Sequence, residues 1–146
     1  MINRWRSHGR RGQTLVEFAV ILPVLVLVLM GIFDFGRAIY AFNTISNASR
    51  EAVRLGIVDQ NLTLVENRAL DHAPSLGLTA GDVDVVFRQP NGSAAVCAAP
   101  IAIACDVEVV VRYRYQAATP LIGNIVGVIN MSSTSRQPVE RSYASP

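Results

Sequence analysis

The chain has 146 residues, 51% of them apolar, and a net charge of +2 from thirteen arginines, no lysine and eleven acids. That length holds one modest domain plus a membrane anchor. The charge is unevenly placed: Arg4, Arg6, Arg10 and Arg11 come first, and the rest of the chain carries nine arginines against eleven acids. The basic character is therefore a leader, not a nucleic-acid surface.

Met1 to Gly12 reads as a short, polar, cytoplasmic leader. Between Leu15 and Phe33 the chain is apolar, with Glu17 as its sole charge. As helix this run spans about 28 Å, close to the roughly 30 Å hydrocarbon core. Four arginines before it keep the N-terminus inside and send the remainder out. A carboxylate within such a run costs roughly 2.5–3.5 kcal/mol on insertion scales, so Glu17 is a functional residue by default. It is the fifth residue after Gly12. That spacing looks like a prepilin-type processing and assembly signal, so a cut after Gly12, before Gln13, is the case to consider. A new ammonium on Gln13 would lie one helical turn from Glu17, or reach the Glu17 of a neighbouring subunit. The competing reading is an uncleaved anchor with Glu17 near the headgroups.

Pro23 interrupts the run, and Gly31 and Gly36 offer close-approach points for helix packing. Asp34 and Arg37 form an i, i+3 pair at its outer end. Their expected role is to end the span at headgroup level; the alternative is an ion pair between packed protomers. Beyond Ala38 the pattern turns amphipathic. Ala41, Ile45, Ala48, Ala52 and Leu55 form an apolar stripe, and Asn43, Asn47, Arg50 and Arg54 a polar one. Both fit a 3.6-residue period, so one helix over residues 13–58 is expected, about 70 Å long. Its apolar stripe needs a partner, either the chain's own sheet or neighbouring helices. Glu51 precedes Arg54 by three residues, a surface pair worth about 0.3–0.5 kcal/mol.

Asn61 is a cap candidate for a short helix over residues 62–72. Residues 82–88 alternate polar and apolar as a strand does. Val107, Val109, Val111, Tyr113 and Tyr115 form one face of a longer strand, and residues 129–135 a third. Between the first two lies a loop holding Cys97 and Cys105, the two cysteines of the chain. Export favours a bridge between them, contributing about 2–3 kcal/mol on the chain-entropy estimate. Residues 119–127 are apolar but rich in turn formers, and too short for a second span. They read as a crossover with a helical turn packed on the sheet or the membrane surface. The extracytoplasmic α+β domain is expected over residues 59–135, with a loose tail at 136–146.

Signals for catalysis are poor. Asp71 and His72 are adjacent and do not face each other on a helix. There is no nucleophile elbow, no phosphate-binding glycine loop and no zinc motif, so no metal, cofactor or small-molecule substrate is expected.

Gly12-Gln13-Thr14-Leu15-Val16-Glu17-Phe18-Ala19, then Pro23, Gly31, Asp34-Phe35-Gly36-Arg37 and Ser49-Arg50-Glu51-Ala52-Val53-Arg54, resemble the TadE-like family. These are minor pilin-like or pseudopilin proteins of the tight-adherence (Tad/Flp) pilus system. The resemblance is strong over residues 11–56 and looser through the later strands. It implies a single-pass, non-enzymatic protein of the bacterial inner membrane, taking part in pilus assembly or associated secretion. The partners it implies are membrane lipid, a prepilin peptidase that reads Glu17 and Phe18, and other pilus subunits meeting the long helix. One departure is that Phe18 stands where related processed pilins commonly carry tyrosine. The alternative function is an uncleaved, membrane-anchored periplasmic module that binds or scaffolds a partner.

Overall fold

The computed structural model describes residues 9–90, 94–98, 101 and 104–141. Its first element, α1 (Gly9–Gly56), is 48 residues of continuous helix, about 72 Å at 1.5 Å per residue. It begins four residues before the expected start and ends two before the expected stop. The turn Ile57–Val58 closes it, with the Ile57 N–H on Val53 O (3.0 Å) and the Asp59 N–H on Leu55 O (2.9 Å). Helix persists across Pro23. The leader's first eight residues lie outside the described residues.

A second helix, α2 (Leu62–Asp71), is capped as its sequence demands. The Asn61 carboxamide oxygen accepts from the N–H groups of Thr63 (3.1 Å) and Leu64 (3.3 Å). Two 3-10 turns follow, Pro74–Leu76 and Ala80–Asp82. Three strands then form one antiparallel sheet in the order β1 (Val83–Arg88), β2 (Asp106–Gln116), β3 (Val128–Pro138). A seven-residue helix, α3 (Pro120–Val126), stands between β2 and β3. Cys97 and Cys105 are disulfide-bonded within the β1–β2 connection.

The register sets two faces. Val85 pairs with Val109 and Phe87 with Val107; Ser135 stands opposite Val109 and Ser133 opposite Val111. Strand alternation points this set at α1. The other face carries a cross-strand charge network in which Arg88 meets Glu108 (2.9 Å) and Arg136 meets Asp106 (3.0 Å) and Glu108 (3.5 Å).

The core lies between sheet, α2 and the C-terminal half of α1. Ala41, Ile45, Ala48 and Ala52 are buried, and Leu55 packs against the same cluster. The polar stripe Asn43, Asn47, Arg50 and Arg54 is exposed. So the apolar stripe is covered by the chain's own sheet, and the small alanines let that sheet approach. The approach is tight at Gly56, where a Cβ would sit 2.7 Å from Val107 Cγ2.

Two boundaries differ from the sequence reading. The domain's core is not confined to residues from 59 onward, because Ile45, Ala48, Ala52 and Val53 of α1 are part of it. Nor is the tail loose from Arg136. β3 continues to Pro138, Val139 is buried, and the N–H groups of Glu140 and Arg141 both reach Ile57 O (3.1 and 3.2 Å). The driving terms are Val139, an apolar side chain with a place in the core, and Arg136, which has two carboxylates to pair with. Residues 142–146 lie outside the described residues.

Candidate functional site

Two places on α1 carry chemistry that local structure alone does not require. At its N-terminal end, Gln13 and Glu17 share one helical turn, and the Gln13 side-chain amide donates to Glu17 Oε1 at 3.2 Å. Everything around them is bare. Leu15, Val16, Phe18 and Val20 are 59–70% exposed, and every described side chain from Gly12 to Met30 is exposed. An 18-residue window in this part of the helix has mean hydropathy 2.8 and none of it is buried. By length and composition it fits a single-pass membrane anchor.

The second place is Asp34, where the bare half ends. Its side chain is buried, 4% exposed. Three donors meet its carboxylate: the Ala118 N–H on Oδ1 (3.0 Å), the Thr119 N–H on Oδ2 (3.3 Å), and the Thr119 hydroxyl on Oδ2. From β2, the Tyr115 hydroxyl donates to the Asp34 main-chain carbonyl at 2.7 Å. Burial raises the Tyr115 pKa, and the nearby Asp34 charge raises it further, so the phenol stays a donor at neutral pH. Asp34 thus ties helix, strand and the start of α3 together. Within the chain, Asp34 and Arg37 form no salt bridge within 4 Å. The only sequence signal was indirect: Thr119-Pro120 is a helix start, and an acid is a fitting acceptor for its free N–H groups.

A third contact was not legible. Ser49 is fully buried between α1 and the sheet, and its Oγ lies 3.1 Å from Ser133 Oγ and 3.0 Å from Ser135 Oγ. It also donates to Ser46 O at 3.1 Å. The remaining sequence candidates are placed as follows. Arg54 pairs with Glu51 at 2.7 Å, and Arg50 bonds Ser46 O and Oγ. A Cβ on Gly31 would meet Ile122 Cδ1 at 3.9 Å, whereas one on Gly36 would meet nothing within 4 Å. Pro23 lines an apolar groove of about 430 Å³ between α1 and α3. His72 caps the end of α2. Among the described residues no group of three or more His, Cys, Asp or Glu could hold a metal ion.

Fold and site together define a class: an α+β protein whose domain is built around the far half of its own apolar anchor helix. Comparison with known families narrows this. Residues 12–54 match the model of the TadE-like protein family, the stretch that holds Gly12, Glu17, Asp34 and the Arg50–Arg54 turn. No match was found among curated proteins or among solved structures.

Proposed function

We propose that this protein is a minor pilin-like structural subunit of a Tad/Flp pilus assembly or its associated secretion apparatus, cleaved after Gly12 by a prepilin peptidase. It sits in the bacterial inner membrane with its N-terminus cytoplasmic and its domain outside. The observation that carries this reading is the contrast along α1. The far half has its partner in the sheet, while the near half is exposed and holds one carboxylate, Glu17, a turn from Gln13. Cleavage would place an ammonium on Gln13 beside that carboxylate. In a packed, low-dielectric assembly the pairing removes an otherwise costly charge, within one subunit or between two. The work is packing and recognition, not catalysis.

Mass spectrometry of the membrane-extracted protein tests processing. The expected N-terminus is Gln13, cyclised or not, and an intact leader in cells with active peptidase refutes cleavage. Substituting Glu17→Ala tests the assembly role. Loss of pili at a normal protein level is expected; unchanged piliation would favour the uncleaved binding module.

A further inference from the structure

Three contacts fix how β2 runs along α1. Val107 lies against Gly56, Tyr115 bonds Asp34, and Ile122, beyond the end of β2, lies against Gly31. As α1 descends from residue 56 through 34 to 31, the partner chain descends from 107 through 115 to 122. The sheet therefore ends at the level of Asp34, where Gln116 pairs with Val128. The helix α3 lies past that end, on the side of the anchor. The Ile122 side chain lies against Gly31, which is three residues below Asp34, about 4.5 Å deeper along the α1 axis. It shares its groove with Met30 and Leu27, which lie deeper still.

The composition of this segment fits that depth. Residues 115–135 contain no charged side chain. Ile125 is 80% exposed, and Val126 and Val128 are each more than half exposed. Such a patch on a monomer marks an interaction site, and here it is continuous with the bare flank of α1. Backbone groups in lipid must be satisfied internally. α3 bonds Gly123 N–H to Thr119 O and Gly127 N–H to Gly123 O, Pro120 has no N–H, and Asp34 takes the N–H groups of Ala118 and Thr119.

We propose that α3 is a second membrane foothold, a short apolar helix immersed in lipid at the hydrocarbon–headgroup boundary of the domain-side leaflet. It rests on the reading of residues 15–33 as the span. The occupant of its exposed face is lipid acyl chain, and its effect is to fix the tilt and rotation of the domain over the membrane.

The test uses the full chain, one copy per nanodisc of phosphatidylcholine and phosphatidylglycerol. Spin labels are placed on single added cysteines at Ile125, at Leu25 in the span and at Thr63 on the exposed domain surface, with the native disulfide intact. Collision with oxygen and with a water-soluble nickel chelate is then measured. The expected result is a several-fold higher oxygen-to-nickel ratio at position 125 than at 63, approaching that at 25. A label at Val128 should follow the one at 125. Water-like behaviour at 125 with lipid-like behaviour at 25 overturns the foothold and leaves the anchor standing. Shielding of 125 from both reagents overturns it too, by showing protein cover. Water-like behaviour at 25 as well overturns the anchor reading itself.

Discussion

The two halves of α1 are one helix in backbone terms and two different objects in energetic terms. From residue 12 to 33 nothing apolar is buried; from 41 to 56 a stripe is sealed against sheet and α2. The difference lies in the side chains. The near half is apolar all round, which suits a solvent of lipid or of similar helices. The far half has one narrow apolar stripe with small alanines and one exposed polar stripe, which suits a single covering layer. Helical continuity does not imply a common partner, and Asp34 is where the partner changes.

The sharpest way to break this contrast is the same kind of truncation in each half. Ile45→Ala should cost the domain about 3 kcal/mol, because Ile45 is fully buried. Leu25→Ala should leave domain unfolding within about 0.5 kcal/mol, since Leu25 touches no part of the domain core. Denaturant titration in detergent, followed by circular dichroism, reads both; equal losses would mean the halves are not distinct. At the boundary, Asp34→Ala leaves two N–H groups without their acceptor and should cost about 2–3 kcal/mol. Asp34→Asn, which keeps one acceptor oxygen, should lose less, and the same titration checks the order. At the far end, Gly56→Ala drives a methyl into Val107, and overpacking of about 1–3 kcal/mol should outweigh a helix-propensity gain of at most about 1. A lowered thermal midpoint is expected; a raised one would mean that Val107 moves aside at little cost. Smallest in stability is Glu17→Ala, within about 0.5 kcal/mol of the parent by thermal unfolding, since its hydrogen bond to Gln13 is an exposed one.

Features with a period were legible in the sequence. The stripe from Ala41 to Leu55, the alternating face from Val107 to Tyr115 and the Asn61 cap all follow from local spacing, and the structure places each on a matching element. The crossover at residues 119–127 was also visible as a helical turn, but not which surface it meets. What escaped were pairings between residues far apart in sequence. Asp34 and Thr119 are 85 positions apart, and Ser49 and Ser135 are 86 apart. Nothing in either neighbourhood names its partner. The ordered segment Arg136–Arg141 escaped for a related reason. It has little apolar content of its own, and its order comes from Asp106, Cys105 and Ile57.

The domain is fastened to α1 at both ends of the stretch it covers. At one end Asp34 holds Tyr115, Ala118 and Thr119; at the other, the chain after β3 returns to Ile57 just past the last helical turn. Two attachments on one continuous helix leave no loop between them to act as a hinge. A sideways load on the sheet becomes torque on the anchor, and a rotation of the anchor swings the sheet through the same angle. A rod about 72 Å long, gripped over one half and exposed over most of the other, works as a lever. Any subunit that seizes the exposed arm also sets the heading of the domain at the far end.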